Sequence, residues 1–155
     1  MFTKQIVYLG NYLWEKSIQN IGTVLTEQEA KSFTSNDYFY LSSIYYMNQP
    51  NLSEIARKHG VTKPAISAIV RKLMKLGLVE KIQCEDDKRF FYVALTKKGK
   101  NIIEGDGAQY AILEEQLKTL IADEKTLIEF ENVVSKLVIK LQGGQEDEQK
   151  EDKSV

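Results

Sequence analysis

Residues 52–99 decide the fold, and they read LSEIARKHGVTKPAISAIVRKLMKLGLVEKIQCEDDKRFFYVALTKKG. The first half of this stretch carries two short amphipathic helical patterns, separated by a turn that contains Gly60. The second half carries two apolar strand patterns joined by a charged loop at residues 83–89, and another helix signal follows at Thr96. We therefore predict a mainly α fold with a small β-hairpin (class α+β).

The order helix, turn, helix, strand, loop, strand is that of a winged helix-turn-helix lobe, in which the hairpin is the wing. The charge of the same stretch points to nucleic acid. Residues 53–100 contain twelve Lys and Arg against five Asp and Glu, a net charge of +7, although the whole chain has a net charge of −1. Such a concentrated cationic segment attracts a phosphate backbone through counterion release. Double-stranded DNA is therefore the predicted partner.

Composition excludes several other classes. The chain of 155 residues contains no apolar run of about 18 residues, so we expect no membrane span. It shows no secretory signal pattern at its start, which predicts a cytoplasmic protein. Cys84 and His59 are the only cysteine and histidine, so a disulfide framework, a zinc finger or another metal site is not expected. No catalytic motif is present, and we predict neither an enzyme nor a cofactor.

A helix is expected over residues 2–25, followed by a connection or ragged helix end at 26–34. The next helix, at about 36–48, begins with Thr34 or Ser35 as its cap and buries Tyr38, Leu41 and Tyr45. Ser53 is the predicted N-cap of a short helix that ends at His59, and Gly60 suits the left-handed position after it. The helix dipole could make His59 easier to protonate, but an ordinary surface histidine is the interpretation that we favour.

The second helix of the helix-turn-helix is expected over residues 62–76, with Thr62 as its cap and Gly77 at its end. Its predicted core face is Ile66, Ile69, Val70, Leu73 and Met74. The opposite face has small residues near the helix start and cations further along, with Ser67 on its flank; its members are Pro64, Ala65, Ala68, Arg71, Lys72 and Lys75. Small side chains let a helix enter a groove, where the cations meet phosphate. The alternative interpretation is an ordinary solvated face.

Strands are predicted over residues 78–83 and 90–95, and residues 84–89 form the wing tip. Asp87 lies two residues before Arg89, so that it can hold the guanidinium in place for a narrow minor groove. A solvated hairpin tip is the alternative.

Two long helices complete the chain. The first, from Thr96 to about residue 121, contains Gly105 and Gly107, and we expect a kink or break there. The second is capped by Asp123. Residues 143–155 are polar and are predicted to be a disordered acidic tail. The predicted domains are a dimerisation helix with its connection (1–34), the DNA-binding lobe (35–100), the C-terminal dimerisation helices (101–142) and this tail.

The helix-turn-helix motif, the Asp87-Lys88-Arg89 wing and the segment Ala94-Leu95-Thr96-Lys97-Lys98-Gly99 together resemble the MarR family of transcriptional regulators. The resemblance implies a homodimer that binds a pseudo-palindromic operator, most simply as a repressor. It also implies that Arg89 enters the minor groove. The predicted DNA-binding residues are Ser53, Thr62, Lys63, Pro64, Ala65, Ser67, Ala68, Arg71, Lys72, Asp87, Lys88 and Arg89. The predicted dimerisation residues are Phe2, Ile6, Leu9, Leu13, Leu127, Phe130, Val134, Leu137 and Leu141.

Members of that family often respond to a small aromatic or amphipathic ligand. Tyr12, Trp14, Tyr38 and Tyr45 are candidates for such an inducer pocket, although aromatic residues at helical spacing are more often part of a core. Cys84 is a weak candidate for a redox sensor, since its acidic neighbours raise the pKa of a thiol. The alternative function is a winged-helix interaction module that docks an acidic protein partner. Operator sequence, target genes and the inducer cannot be read from the sequence.

Overall fold

The computed structural model describes residues 2–84 and 90–151, with side chains through residue 141. Contacts divide the chain into two compact units, Met1–Tyr110 and Ala111–Val155. Among the described residues the elements are α1 (Thr3–Val24), α2 (Glu27–Ser32), α3 (Ser35–Met47), α4 (Leu52–His59), α5 (Lys63–Lys75), β1 (Val79–Gln83), β2 (Phe91–Leu95), α6 (Lys97–Leu120) and α7 (Glu124–Glu151). The mainly helical class with one antiparallel hairpin is confirmed. No described helix is both long enough and apolar enough to cross a membrane.

Reciprocal capping boxes begin three consecutive helices, and two of them correct the sequence prediction. Residues 27–32 form the helix α2 rather than a connection, because Thr26 and Glu29 each bond the other's backbone N–H. Asn51, not Ser53, is the N-cap of α4, since its side chain accepts hydrogen bonds from the backbone N–H groups of Ser53 and Glu54. Both boxes were present in the sequence as a capping residue followed three positions later by Glu.

The core of the first unit is built from α3, α4, α5, the hairpin and the start of α6. Its fully buried side chains include Leu41, Ile44, Ile55, Ile66, Leu73, Leu78, Val93 and Ile102. One predicted core assignment is wrong, and two are only partly confirmed. Met74 is 36% exposed because it lies on the flank of α5, and α3 buries Tyr40, Leu41 and Ile44 while Tyr38 and Tyr45 are only half-buried.

The hairpin pairs β1 with β2 in antiparallel register, with Val79 opposite Leu95 and Gln83 opposite Phe91. Gly77 ends the turn after α5 in the left-handed region (φ +70°), which L-residues with a Cβ rarely adopt. The backbone N–H of Val93 donates to the carbonyl of Pro50 at 2.8 Å, so that β2 is tied to the segment before α4. The predicted strands are confirmed to within one residue, whereas the wing residues Asp87, Lys88 and Arg89 lie outside the described residues.

Helix α6 runs without interruption through Gly105 and Gly107, so the predicted break is wrong. A Cβ built on Gly105 would lie 2.3 Å from the Asn20 Oδ1 atom, and Gly105 is therefore required for the close approach of α1. Asn20 is held there by hydrogen bonds from its Nδ2 to the Ile102 carbonyl (2.6 Å) and to Asp106 Oδ1 (3.0 Å). The glycine is thus a packing feature of this crossing.

Helix α7 begins after Asp123, whose Oδ2 accepts from the backbone N–H of Thr126 at 2.8 Å. The helix continues to Glu151, although disorder was predicted from residue 143 onward; Gln, Glu and Lys, which dominate this segment, are good helix formers. Residues 152–155 lie outside the described residues. The apolar residues of α7 are largely exposed: Ile128, Phe130, Val133, Val134, Leu137, Val138, Ile139 and Leu141.

The contact between Gly105 and Asn20 predicts opposite effects for two neighbouring glycine substitutions. Gly107→Ala should stabilise the protein by up to about 1 kcal/mol, since a Cβ there meets nothing within 4 Å and Ala favours a helix. Gly105→Ala should instead cost about 1–2 kcal/mol, because Asn20 must give up its hydrogen bonds to make room. Urea unfolding of both variants measures the difference, and equal stabilisation by the two would contradict the role of Gly105.

Candidate nucleic-acid interface

The start of α5 is exposed and is fixed by the turn that precedes it. Gly60 adopts the left-handed conformation (φ +63°) after α4, and the backbone N–H of Val61 donates to the Ala56 carbonyl at 3.1 Å. Thr62 then caps α5, its hydroxyl oxygen accepting from the Ala65 backbone N–H at 3.4 Å. Pro64 follows in the first turn, where a missing N–H costs little.

Helix α5 has two distinct faces. Ile66, Val70 and Leu73 are buried against the lobe. The opposite face is exposed and combines small residues near the helix start with cations further along, as predicted; its exposed members are Pro64, Ala65, Ala68, Arg71 and Lys75. Ser67 and Lys72 lie on the flanks and are half-buried, and the side chain of Ser67 is small. A helix that lies in the major groove needs small side chains and positive charge on its outer face, and this face has both.

Lys72 differs from the other cations of α5, because its ammonium group pairs with a buried carboxylate. The distance from Lys72 Nζ to Asp37 Oδ2 is 2.5 Å, and the side chains are 39% and 3% exposed, respectively. Burial raises the pKa of Asp37, but the hydrogen bonds from Lys72 and Thr34 outweigh this effect and hold that pKa below its ordinary value. Lys72 was predicted from the sequence to be a DNA-binding residue, and no sequence pattern indicated that Asp37 is its partner.

Two more of the cations counted in the +7 segment have partners within the lobe. Lys98 Nζ lies 2.6 Å from Glu29 Oε1 and donates to the Leu76 carbonyl at 3.1 Å, so it ties α6 to α2 and to the end of α5. Lys81 Nζ lies 4.2 Å from the centre of the Phe91 ring, a cation–π contact across the hairpin. The segment therefore offers DNA less free charge than its composition implies.

The exposed residues around α4 extend the candidate interface. Ser53 is exposed in the first turn of α4, and its backbone N–H donates to Asn51 Oδ1 at 2.9 Å. Arg57, Lys58 and Lys63 are exposed and form no ion pair with any residue that the structure describes. Positive charge thus surrounds the start of α5 as well as its outer face.

The predicted pocket residues separate into two places. Trp14 and Tyr38 contact each other edge to face, with ring centres 6.1 Å apart, and Tyr12 lies on the same helix as Trp14 with Lys16 over its ring. Tyr45 instead lines a shallow groove at the end of α3, where its hydroxyl donates to Glu104 at 3.5 Å. A single pocket lined by all four aromatic residues is therefore not formed.

A buried carboxylate, which the sequence did not single out, lies beside this aromatic pair. Asp106 is buried, and its Oδ2 accepts hydrogen bonds from Ser17 Oγ and from the Tyr38 hydroxyl, both at 2.5 Å. Burial and the Asp106 carboxylate raise the pKa of Tyr38, so its hydroxyl stays protonated and donates. The group joins α1, α3 and α6 within the first unit. Among the described residues, no set of three His, Cys, Asp or Glu side chains is placed to hold a metal ion.

These elements define a winged helix-turn-helix lobe. Residues 33–90 match the MarR family model. The curated regulator Hpr of Geobacillus thermodenitrificans is 32% identical over 106 residues, which cover 66% of this chain and 50% of that protein. The regulator FarR of Neisseria gonorrhoeae is 24% identical over 78 residues, which cover 50% and 53%.

The resemblance to the MarR family is therefore confirmed, and segment 33–90 belongs to that family. The chain spans about half the length of the curated relatives it matches. These relatives are named as transcriptional regulators rather than as enzymes.

Solved structures share the fold at low identity. The regulator MepR of S. aureus bound to ethidium bromide has a TM-score of 0.65 and 18% identity, and the alignment covers 91% of this chain and 96% of that one. Streptococcus pneumoniae FabT in complex with DNA has a TM-score of 0.59 and 17% identity, with coverage of 92% and 99%. Both alignments cover more than nine-tenths of this chain, and they confirm the fold class.

His59 is not the surface histidine that the sequence predicted. Its Nε2 lies 2.7 Å from Ser43 Oγ, and its ring contacts the rings of Phe39 and Tyr40 edge to face. Burial, with a smaller effect from the charge of Lys58, lowers the pKa of His59. Easier protonation, the alternative considered from the sequence, is therefore contradicted, because loss of hydration disfavours the charged imidazole.

The environment of His59 predicts a pH effect on stability. Because the folded state binds the imidazole proton less readily than the unfolded state, stability should fall as the pH drops below about 6.5. As this is the chain's only histidine, NMR titration of one imidazole signal measures its pKa directly. We expect a value below 6.5, because burial disfavours the charged imidazole. A pKa at or above 6.5 in the unmodified protein would contradict the burial argument.

Proposed function

We propose that the protein is a homodimeric, sequence-specific DNA-binding regulator of transcription that acts as a repressor. In this proposal α5 lies in the major groove of each half of a pseudo-palindromic operator, and the wing at residues 83–90 reaches the minor groove. The observation that carries the proposal is the outer face of α5, where exposed small residues precede exposed cations. The DNA complex of the similarly folded FabT supports the same use of the fold.

The proposed contacts divide by chemistry. Lys63, Ala65 and Ser67 lie at the start of α5, the part of a recognition helix that meets base edges, and Ala65 and Ala68 suit apolar contact with thymine methyl groups. Arg71 and the hydroxyl of Ser53 are the proposed phosphate contacts. Arg89 is proposed to enter the minor groove, with Asp87 holding its guanidinium and Lys88 beside it. Lys72 is omitted from the phosphate contacts because of its pairing with Asp37.

A second copy of the chain is the proposed partner of the long helices. Phe2, Ile6 and Leu9 of α1 are exposed, as are Phe130, Val134, Leu137 and Leu141 of α7. Leu13 and Leu127 are half-buried on the same helices. Contiguous apolar stripes of this length mark interaction surfaces, since a monomer rarely leaves them in water. Two-fold symmetry would then place two α5 helices about one turn of DNA apart.

A small-molecule inducer completes the proposal. The exposed edges of Trp14 and Tyr12, with the Trp14–Tyr38 contact behind them, favour a flat aromatic ligand. The ethidium complex of MepR supports an aromatic ligand for a protein of this fold.

The DNA-binding role predicts a specific change in Arg71→Ala. A duplex selected from a random pool by the unmodified protein serves as the probe, and binding is measured by fluorescence anisotropy over a range of salt concentrations. Removing Arg71 should weaken binding and flatten the plot of log K against log salt by about 0.9 for each phosphate that Arg71 neutralises. Lys31→Ala, which removes an exposed cation from α2, is the matched control and should change neither quantity.

Two results would count against this assignment. An unaltered slope in Arg71→Ala would remove Arg71 from the phosphate contacts. Failure to enrich any sequence from the random pool at moderate salt would contradict sequence-specific binding, and would favour the alternative of an acidic protein partner.

The homodimer predicts that Leu137→Glu shifts the protein to a monomer in sedimentation experiments at micromolar concentration. Leu137 is 54% exposed within one chain, so its replacement should disturb the partner contact rather than the fold. Ser135→Glu adds the same charge about 200° around α7 and should leave the assembly unchanged. If the unmodified chain already sediments as a monomer, or if both variants behave alike, the proposed α7 interface is wrong.

A further inference from the structure

The Asp37 carboxylate lies at the base of α3 and faces the recognition helix. One of its oxygens, Oδ2, accepts three hydrogen bonds: from the Thr34 backbone N–H (2.7 Å), from the Thr34 hydroxyl (2.7 Å) and from Lys72 Nζ (2.5 Å). The residue is buried and ionised. Thr34 contributes dipoles but no charge, so Lys72 is the cation that balances this buried anion.

Lys72 and Arg71 lie on opposite flanks of the outer face of α5, about 100° apart. Among the described residues, the Arg71 side chain forms one long contact, with Nε donating to the carbonyl of Ser67 in its own helix at 3.5 Å, so it can turn to a ligand. Lys75 is exposed and forms no ion pair with the described residues. Lys72, in contrast, is directed across to α3.

We propose that Asp37 is a positioning residue for the recognition helix: it holds Lys72 as a strut between α3 and α5 and keeps this lysine away from DNA phosphates. This inference rests on the proposed DNA-binding function and divides the cations of α5 into two roles. Arg71 and Lys75 serve the DNA, whereas Lys72 serves the orientation of the helix.

The reason for this division is the cost of separating the pair. If Lys72 turned to a phosphate, the Asp37 carboxylate would be left buried without a counter-charge, which is far less favourable than an unpaired surface charge. A phosphate contact by Lys72 offers only a solvent-screened attraction in return. The pair should therefore persist when DNA binds, and Lys72 should release no counterion from the duplex.

The test compares the salt dependence of DNA binding in four proteins: unmodified, Lys72→Gln, Asp37→Asn and the double variant. Asparagine keeps an oxygen that can accept from Thr34, so the start of α3 retains its cap while the charge is removed. Glutamine keeps the length of an uncharged side chain. The probe is the duplex selected by the unmodified protein, and thermal unfolding by circular dichroism is recorded for each variant.

The proposal predicts an unusual pattern of slopes. Lys72→Gln should lower affinity by a similar factor at every salt concentration and leave the slope of log K against log salt unchanged, since it alters orientation and not a phosphate contact. Asp37→Asn should make the slope steeper by about 0.9 per subunit, because the released Lys72 becomes available to phosphate. The double variant should return to the slope of the unmodified protein.

Three results would overturn the proposal. A flatter slope in Lys72→Gln, equal to that in Arg71→Ala, would make Lys72 a phosphate ligand. An unchanged slope in Asp37→Asn would show that Asp37 does not withhold Lys72. A double variant that stays steeper than the unmodified protein would assign the added slope to another group.

Failure of the underlying function gives a different result, because the unmodified protein would then show no salt-dependent binding at all. Loss of folding is also distinguished. If Lys72→Gln unfolds because Asp37 is left unpaired, the double variant, which removes both charges, still compares directly with Asp37→Asn. Hydrogen exchange of the Lys72 ammonium group can also be followed by NMR. Slow exchange in the unmodified protein that becomes fast in Asp37→Asn would independently support the strut.

Discussion

The one-sided burial of α5 is the constraint on which the rest of the lobe depends. Ile66, Val70 and Leu73 are inserted into the core, and each contributes roughly 1.5–3 kcal/mol by leaving water. Because this stripe fixes the rotation of the helix about its own axis, it also decides which residues face outward. The exposed arrangement of alanines and cations is therefore a consequence of core packing, and the tight turn at Gly60 fixes where the face begins.

The cations of residues 53–100 fall into two groups: those paired with acidic groups of the chain and those that remain exposed. A net charge of +7 over residues 53–100 predicts a cationic surface, but Lys72 and Lys98 neutralise acidic groups contributed by α3 and α2. These acidic partners precede the basic segment in the sequence, so a count over the segment alone overlooks them. Lys63, Arg71 and Lys75 remain exposed, and in the proposed function they face DNA. On α5, Lys72 thus forms a structural ion pair, whereas Arg71 and Lys75 are exposed.

Local patterns predicted the other described helices, although not α2, together with the hairpin and the two faces of α5, because capping residues, apolar periodicity and strand composition act over a few neighbouring positions. Features that depend on distant neighbours were missed. Gly105 was predicted to kink or break α6. Its role is instead to leave room for Asn20, which is distant in the sequence. His59 was predicted to be a surface residue, because the sequence does not show that Ser43 and Phe39 lie beside it. Asp37 was not predicted as the partner of Lys72 for the same reason. Periodicity shows which face of a helix a residue occupies, but not which residue of another element lies opposite it.

Amide hydrogen exchange, followed with and without the selected duplex, tests the central claim that the outer face of α5 meets DNA. We expect DNA to slow amide exchange most in the segment from Thr62 to Lys75, while α2 at residues 27–32 exchanges at the same rate with and without DNA. If the duplex binds but leaves the exchange of α5 unchanged, or slows α2 instead, the assignment of α5 as the recognition helix is contradicted.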